Sequence, residues 1–434
     1  MTEATIIIYK GVDCMDEKYK KVKELLEEHN QEHLLKQYER FDKEDDRQRF
    51  LNEILTINFS QMEELYKNSQ SDPVFFKSKL EPVDYIDKSR LSPDKFLQYK
   101  RIGDEKIRSG KLAVLTMAGG QGTRLGFNGP KGEYDIGLKS HKSIFEILSD
   151  TITDAEKKYN VNIPWYIMTS DENNEETERF FKEKNFFNHK AGMVTFFKQG
   201  KMPMLSTDGK LLIDKKGFIK QAADGHGGVF NSMNREGILY DMKARGIEWV
   251  FISGVDNILV KPVDPVLIGL SESQNTLAAG KSLVKDNPHE KVGVFCKRNG
   301  RPSVIEYTEI SKGMAEERLS NGELRYGESH ILCNMFNIKA LEKIAEVKLP
   351  YHTAFKKADY IDDNGNHIVP EKQNAYKYEA FLFDAFELLG NISIMRVKRE
   401  EEFAPIKNAE GVDSPETARK LYINFHNKEN DLEI

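Results

Sequence analysis

The sequence of 434 residues contains 64 basic and 70 acidic side chains, for a net charge of −6, and this length predicts two or three domains or lobes rather than one simple core. The acidic and basic residues are interspersed, which argues against the concentrated basic surface of a nucleic-acid-binding protein. No run approaches the ~20 apolar residues of a membrane span, and the three widely spaced cysteines form no zinc motif or disulfide framework, so we expect a cytoplasmic protein without membrane contact.

Residues 1–100 are expected to form an N-terminal helical region. Asp16 to Lys67 is rich in Glu, Lys, Gln and Leu, and its apolar residues recur at helical spacing, as at Val22, Leu25 and Leu26. This pattern predicts several amphipathic helices that pack on a neighbour. A coiled coil is the alternative, but the heptads are not sustained. Three prolines between residues 73 and 93 indicate a looser connector.

From Lys111 onward, apolar strands alternate with helical stretches, which is typical of an α/β fold. The expected architecture is a Rossmann-like, mixed but mainly parallel sheet flanked by helices. Ligands of such sheets bind beyond the carboxyl ends of the strands. The predicted strands are Ala113–Met117, Pro164–Met168, Val194–Phe197, Trp249–Ile252 and Val292–Phe295, and the predicted helices between them include Glu175–Lys182 and Val229–Ala244.

A glycine-rich loop follows the first of these strands. Gly119, Gly120 and Gly122 let the backbone turn sharply and let a ligand approach main-chain N–H groups closely. The cations of Arg124 and Lys131 come shortly after them. N–H groups that surround oxygen atoms, together with two cations, are what a triphosphate site requires.

Two common phosphate loops do not fit this segment. A P-loop is excluded because no Gly-Lys-Ser/Thr closes the loop. The dinucleotide fingerprint is excluded because Gly120, Gly122 and Gly126 are spaced one residue too widely. Glycines alone would be equally typical of a tight turn, but the spacing of Arg124 and Lys131 behind them favours a phosphate site.

An apolar stretch that begins with Trp249–Ile252 runs on to Asp256. Asp256 is therefore expected at the end of a strand, where a ligand for Mg²⁺ would lie. One carboxylate with phosphate oxygens and water is a common way to hold Mg²⁺. Alone, Asp256 would be read as a turn residue, but the glycine loop upstream favours metal binding. Glu306 and Asn334 are polar positions within apolar runs, so each is either internally hydrogen-bonded or in contact with a polar ligand.

Further candidates lie between these segments. The glycines of Asp224–Gly228 would let the backbone pass a planar ligand, although Asp224 could simply cap a helix. His226 is interpreted as a hydrogen-bonding residue rather than a base, because nothing near it in sequence suggests a triad. Gln199 follows a strand, and its amide can pair with a uracil edge. Lys377 is predicted at the start of an aromatic helix.

Together these segments resemble the eukaryotic-type UDP-N-acetylglucosamine pyrophosphorylases, which are UTP:sugar-1-phosphate uridylyltransferases. The similarity covers nearly the whole chain in the right order. The matching segments are Gln31–Leu35, Ala118–Lys131, Pro164–Ser170, Asp224–Gly228, Val255–Lys261, Pro288–Gly293, Glu306–Tyr307, Asn334, Tyr351–His352, Lys377 and Phe403–Asn408. The resemblance implies a nucleotide-diphospho-sugar transferase fold, with a catalytic domain over residues 101–390 and a C-terminal segment over 391–434 that completes the site.

The resemblance also implies roles for individual residues. The residues that would bind phosphate groups and stabilise the transition state are Arg124, Lys131, Lys377 and Lys407. The residues that would contact the nucleotide or the sugar are Gly119, Gly120, Gly122, Met168, Gln199, Gly225, His226, Gly293, Glu306 and Asn334. Asp256 would bind Mg²⁺. The implied partners are UTP and an N-acetylhexosamine 1-phosphate, which would yield a UDP-sugar and pyrophosphate, and the implied assembly is a monomer or weak homodimer.

Two departures from the family pattern are visible. The family often has Asn where this chain has His226, and its larger members continue into a small C-terminal β-rich domain that we expect this chain to lack. Three rival interpretations differ in function. A uridylyltransferase for glucose 1-phosphate or many sugars is the nearest. A glycosyltransferase would normally carry an Asp-x-Asp motif, whereas Val255 precedes Asp256. A catalytically inactive UDP-sugar sensor would not need Arg124, Lys131 and Asp256 together.

Overall fold

The computed structural model describes residues 17–70 and 78–432. Its helices are α1 (residues 17–28), α2 (His33–Glu39), α3 (Glu44–Thr56), α4 (Phe59–Ser69), α5 (Pro93–Arg108), α6 (Ile144–Tyr159), α7 (Asn174–Glu183), α8 (Val229–Arg235), α9 (Ile238–Ala244), α10 (Pro265–Gln274), α11 (Lys312–Glu316), α12 (Ile338–Ala345), α13 (Ala385–Leu389), α14 (Arg399–Glu402) and α15 (Pro415–Leu432). Within the described ranges, no helix is both long and apolar enough to cross a membrane.

The strands of the described residues are mostly short. They are β1 (Leu80–Pro82), β2 (Ile86–Asp87), β3 (Leu112–Met117), β4 (Trp165–Thr169), β5 (Val194–Lys198), β6 (Lys201–Pro203), β7 (Leu205–Ser206), β8 (Gln221–Ala223), β9 (Trp249–Gly254), β10 (Ala278–Val284), β11 (Val294–Arg298), β12 (Arg301–Ile305), β13 (Glu328–Asn337), β14 (Tyr351–Lys356), β15 (Tyr360–Ile361), β16 (His367–Ile368), β17 (Ala375–Ala380) and β18 (Ser393–Arg396).

The chain forms two compact units. The smaller unit combines the described part of Met1–Val74 with Lys201–Gly225 and Tyr351–Ala380, and the larger unit contains the rest. The predicted boundaries, at residues 1–100, 101–390 and 391–434, follow the chain, whereas these units join separate stretches of it. Those boundaries stay a prediction.

The larger unit is built on an 11-stranded sheet. Its main path runs β2-β18-β10-β13-β9-β3-β4-β5, and all pairs along it are parallel except the two that β13 makes. β3 and β4 are buried along their whole length, as their continuous apolar sequences predict. The expected mixed, mainly parallel sheet is confirmed. Because β3, β4, β9 and β10 point the same way, the loops after them emerge at one edge of the sheet.

The smaller unit confirms the helical character of residues 17–69. The apolar faces of its helices pack into one cluster that includes Val22, Leu34, Phe50, Ile213 and Tyr378. These helices therefore bury their apolar stripes against later parts of the chain rather than against each other as a coiled coil. The predicted helical region does not extend unbroken to residue 100, since β1 and β2 precede α5.

Two predicted elements are wrong. The helix expected over Val229–Ala244 is two helices, because Gly237 adopts a left-handed backbone conformation (φ 73°) between α8 and α9. Lys377 lies in strand β17 instead of a helix. Its segment pairs with β14 along six residues, and Tyr376 and Tyr378, two residues apart, share one face of the strand and pack in the same apolar cluster. The strand predicted at Val292–Phe295 is present as β11, but it begins two residues later, at Val294.

A fully buried lysine, Lys281, lies in strand β10 of the larger unit. The ammonium of Lys281 contacts the carboxylates of Asp264 and Glu402, and Lys88 contacts the same two acids. Burial opposes the ionisation of both groups. Even so, the two nearby cations lower the pKa of Asp264, and the two carboxylates raise the pKa of Lys281. Asp264 and Lys281 are therefore both charged at neutral pH.

We expect Lys281→Met to lower the free energy of unfolding by about 3–5 kcal/mol, because it leaves two buried carboxylates with one cation. Lys106→Met is the matched control. Lys106 also contacts two carboxylates, those of Glu248 and Glu272, but its side chain is 29% exposed, so its loss should cost only about 1 kcal/mol or less. Urea unfolding of both variants measures the difference. Equal losses would show that burial does not strengthen the Lys281 contacts.

Candidate functional site

The glycine loop folds back on itself as a short hairpin. The Gly122 N–H donates to the Gly129 carbonyl (2.8 Å), and the Lys131 N–H donates to the Gly120 carbonyl (3.1 Å). Thr123–Leu125 form one 3-10 turn, which ends at Gly126 in the left-handed conformation (φ 71°). The hairpin therefore brings Lys131 beside the glycines at the carboxyl end of β3, as the predicted phosphate site requires.

A buried asparagine supports this loop. The Asn173 amide donates to the Ala118 carbonyl (2.8 Å), and its oxygen accepts the Ser170 N–H (2.8 Å). Asn173 is 0% exposed and precedes α7. It ties the loop after β4 to the start of the glycine loop, which holds both loops at the same edge of the sheet.

Gln199 lies directly against the first glycine of the loop. A Cβ atom on Gly119 would come within 2.1 Å of the Gln199 Oε1 atom, so only glycine allows this approach. The Gln199 N–H donates to the Thr169 carbonyl (2.9 Å) at the end of β4. The structure thus brings together Gln199 and Gly119, two predicted nucleotide contacts. Met168, a third, is 2% exposed, and its carbonyl accepts the Ala118 N–H.

The predicted catalytic cations differ in their surroundings. Arg124 is exposed and makes no hydrogen bond or ion pair with the described residues. Lys131 is half-buried, and its ammonium donates to the Ile406 carbonyl (3.2 Å). Lys407 follows immediately, 3.4 Å from the Asp413 carboxylate and above the Phe403 ring. Lys131 and Lys407 therefore converge on one stretch of backbone.

Asp256, the predicted metal ligand, contacts the same stretch of backbone around Ile406. The Asp256 carbonyl accepts the Ile406 N–H (2.9 Å) in the turn after β9. Its carboxylate is half-buried and makes no hydrogen bond or ion pair with the part of the chain that the structure describes. This leaves the carboxylate available to a ligand at the carboxyl end of β9. Lys131, Asp256 and Lys407, which are far apart in sequence, are held by Ile406 and its neighbours.

Asp256 fits a metal ion that is shared with a ligand. Among the described residues, no group of three or more His, Cys, Asp or Glu side chains could hold a metal by itself. One unpaired carboxylate at a strand end suits Mg²⁺, which is commonly bound by one or two carboxylates, substrate phosphates and water.

A second cluster surrounds the predicted sugar contacts. Gly293 lies against Glu306, since a Cβ atom on Gly293 would be 3.2 Å from the Glu306 Oε1 atom. The His330 N–H donates to the Gly293 carbonyl (2.8 Å). The Asn334 Oδ1 atom lies 3.1 Å from His330 Nε2, whereas Asn334 Nδ2 is buried without a hydrogen-bond partner among the described residues. An unsatisfied buried donor is costly, so Asn334 Nδ2 is suited to a polar ligand.

His330 fixes the orientation of the Asn334 amide. Burial among aromatic rings lowers the pKa of His330 to about 3. The imidazole is therefore neutral, and its Nε2–H donates to Asn334 Oδ1. No sequence motif points to His330, because its contact with Asn334 depends on an irregularity in β13, where Leu332 has a positive φ of 53°.

Other predicted residues lie elsewhere. The His226 Nδ1 atom accepts the Leu382 N–H (3.0 Å) and its ring stacks on Phe381, which agrees with a hydrogen-bonding role. Gly225 and Lys377 belong to the smaller unit. Gly225 is left-handed (φ 87°) and packs tightly on Ala380, and the Lys377 ammonium contacts Glu379 (2.7 Å).

Glu133, two residues after Lys131, is an unusual acid near the glycine loop. Its Oε1 atom is buried without a partner in the described chain. Burial, reinforced by Glu176 and Glu183 and opposed by Arg179, raises the pKa of Glu133 from 4.5 to about 7. Because the folded pKa exceeds the unfolded value, the stabilising contribution of the protonated acid is complete below pH 4.5 and is lost as pH rises through about 7.

We therefore expect Glu133→Gln to melt at the same temperature as the wild type near pH 4.5 and at a higher temperature at about pH 8. Differential scanning calorimetry across this range measures the difference. Glu183→Gln, which changes a neighbouring acid, is the control and should leave most of the pH dependence in place. A wild-type melting temperature that rises relative to Glu133→Gln between these pH values would show that the Glu133 pKa is not raised.

Comparison with known proteins places these residues in a family. Residues 59–417 match the family model described as UTP--glucose-1-phosphate uridylyltransferase. A human protein named UDP-N-acetylhexosamine pyrophosphorylase-like protein 1 is 40% identical over 349 residues, which cover 78% of this chain and 69% of the relative. The UDP-N-acetylglucosamine pyrophosphorylase of Saccharomyces cerevisiae is 38% identical over 368 residues, covering 82% and 77%.

A solved structure agrees in fold. The uridine diphosphate N-acetylglucosamine pyrophosphorylase from Trypanosoma brucei, crystallised with an inhibitor, aligns with a TM-score of 0.78 and 29% identity over 94% of this chain and 84% of that one. The family model spans the glycine loop, Asp256 and Lys407 and covers far more than half of the sequence. The chain therefore belongs to the UTP--glucose-1-phosphate uridylyltransferase family.

Proposed function

We propose that this protein is a nucleotidyltransferase that makes UDP-N-acetylglucosamine and pyrophosphate from UTP and N-acetylglucosamine 1-phosphate. The observation that carries this proposal is the convergence of Lys131, Asp256 and Lys407 on the backbone around Ile406, beside a glycine loop. Among family members, the names of the human and yeast relatives point to an acetylated amino sugar rather than glucose.

The glycine loop and Gln199 are the proposed uridine site. Gln199 offers a carbonyl and an amide to one planar edge, which matches the donor and acceptor pattern of uracil. Its amide lies against Gly119 at the start of the loop. The loop N–H groups and Arg124 would then face the triphosphate, where exposed donors and a cation without a described partner can bind phosphate oxygens.

Gly119→Ala should raise the Kd for UTP about 10- to 100-fold, because the new methyl group would displace the Gln199 amide from its position. Gly313→Ala is the control, since a Cβ atom there meets nothing within 4 Å. Isothermal titration of both variants with UTP measures the effect. Unchanged UTP affinity in a folded Gly119→Ala protein would remove Gln199 from the uridine site.

The proposed chemistry is an in-line displacement at the α-phosphorus. A phosphate oxygen of the sugar 1-phosphate attacks, the bond from the α-phosphorus to its bridging oxygen breaks, and pyrophosphate leaves with that electron pair. No covalent enzyme intermediate is required. Lys131 and Arg124 would hold the β- and γ-phosphates as negative charge builds on them, and Lys407 would hold the attacking phosphate. Mg²⁺, bound by Asp256, would supply further charge neutralisation on the triphosphate.

The proposed sugar site is the cluster of Gly293, Glu306 and Asn334. The buried Asn334 Nδ2 atom is a donor without a described partner, and it would match a carbonyl or hydroxyl oxygen of the sugar. Glu306 supplies a carboxylate that can accept from sugar hydroxyl groups. A side chain at position 293 would crowd the Glu306 carboxylate, since a Cβ atom there would lie 3.2 Å from Glu306 Oε1.

Pyrophosphate release tests this function. The purified protein is incubated with Mg²⁺ and each of UTP, CTP, GTP and ATP, with and without N-acetylglucosamine 1-phosphate. We expect rapid release only with UTP and the sugar phosphate together, and its loss with EDTA. Release from UTP alone would indicate a hydrolase, and no release under any condition would contradict the proposal in favour of a binding protein.

A further inference from the structure

Asn257, the residue after Asp256, makes an unusually complete set of hydrogen bonds. Its Oδ1 atom accepts the N–H groups of Leu259 (3.2 Å) and Ala404 (2.9 Å), and its Nδ2 atom donates to the Glu402 carbonyl (2.8 Å). The side chain is 4% exposed. One amide thus joins the turn after β9 to a segment about 145 residues further along the chain.

Backbone contacts continue the same connection. The Ile258 N–H donates to the Ala404 carbonyl (3.2 Å), the Ile406 N–H donates to the Asp256 carbonyl (2.9 Å), and Asn257 forms an antiparallel bridge with Pro405. Hydrogen bonds therefore connect residues 254–259 to residues 402–407, and we name these two segments together the Asn257 junction. Asp256 belongs to the first segment and Lys407 to the second.

The far end of the Asn257 junction is anchored in the buried charge network. The Glu402 carboxylate contacts Lys281, which is 0% exposed and is also held by Asp264. The Glu402 carbonyl also accepts a hydrogen bond from the Asn257 amide. The junction therefore cannot shift without disturbing the buried charges. The near end carries the Ile406 carbonyl that accepts from Lys131.

We propose that Asn257 is a positioning residue for the transfer reaction, which sets the distance between Asp256 and Lys407. This inference rests on the proposed function, in which the two side chains act on opposite reactants. The Asn257 amide makes no described contact with either side chain, so it acts through the backbone that carries them. A rigid junction keeps the two reacting phosphates in line, and small misplacements of reacting groups cost a large part of the rate.

A double-mutant cycle tests the proposal. Asn257→Ala should lower kcat/KM for the sugar 1-phosphate roughly 10- to 100-fold. In the Lys407→Ala background, the same change should cost less than about threefold, since Asn257 then has no positioned lysine to act through. Additive losses in the two backgrounds would overturn the proposal and assign Asn257 a merely structural role.

The control is Asn337→Ala. Asn337 also accepts a backbone N–H through its side chain, as the cap of α12, but it pairs with Trp249 at the other end of β9. The Asn337→Ala variant should have a lower free energy of unfolding and an unchanged kcat/KM. If Asn257→Ala does not fold by circular dichroism, Asn257→Ser, which keeps an oxygen at this position, enters the same cycle. The cycle is measured with the sugar 1-phosphate that the wild type turns over fastest. If that substrate is not N-acetylglucosamine 1-phosphate, the proposed function is contradicted, but the cycle still tests the role of Asn257.

Discussion

Lys131→Ala is expected to reduce kcat about 100- to 1000-fold, because in the proposed reaction it removes a cation that would stabilise the leaving pyrophosphate. The fold should persist. The only partner that the described residues offer the ammonium is the Ile406 carbonyl, at 3.2 Å, and one such hydrogen bond contributes only about 1–3 kcal/mol. Steady-state kinetics with UTP and N-acetylglucosamine 1-phosphate, together with circular dichroism, separate the two effects.

Two further variants sharpen the Lys131 result. Lys131→Arg keeps the charge in a different shape and should recover part of the lost rate. Lys139→Ala changes an exposed lysine in the same region and should match the wild type. An unfolded Lys131→Ala protein would show that the residue is structural, and a folded one with normal kcat would remove Lys131 from the catalytic group.

Asp256→Asn is expected to lower kcat/KM about 100-fold and to raise the Mg²⁺ concentration that gives half-maximal rate, since a neutral amide is a weaker ligand for a hard cation. Its stability should be close to that of the wild type, because the carboxylate makes no ion pair or hydrogen bond with the described residues. A readout independent of turnover is Mn²⁺ binding in the presence of UTP, followed by electron paramagnetic resonance.

Asp150→Asn is the control for Asp256→Asn. Asp150 forms a surface ion pair with Lys142, and such pairs contribute about 1 kcal/mol or less, so both metal binding and turnover should be unchanged. Normal Mn²⁺ binding by Asp256→Asn would place the metal elsewhere, even if the rate fell.

The parts of the fold that follow from local sequence were predictable. β3 and β4 are continuous apolar runs, and the spacing of Gly119, Arg124 and Lys131 predicts a phosphate loop from local sequence alone. The same local signals failed where a single backbone angle or a distant strand decides the structure. Gly237 breaks a helix through its left-handed conformation, and Lys377 joins a strand because β14 offers it a partner.

The connections within the candidate site were not predictable from sequence. Asn257 binds residues about 145 positions away, and an asparagine after a strand normally indicates only a turn. His330 orients Asn334 through a backbone irregularity that has no sequence signature. Sequence motifs identify the residue types that chemistry needs, whereas the residues that hold them in place become visible only when distant segments are seen in contact.

Direct competition between two sugar phosphates tests the central claim. N-acetylglucosamine 1-phosphate and glucose 1-phosphate are mixed in equal amounts with UTP, Mg²⁺ and the wild-type protein, and the two UDP-sugars are quantified by mass spectrometry at low conversion. The ratio of products equals the ratio of the two kcat/KM values. We predict an excess of UDP-N-acetylglucosamine of at least about tenfold, because one well-packed extra group is commonly worth that much discrimination. Equal amounts of the two products, or an excess of UDP-glucose, would contradict the account.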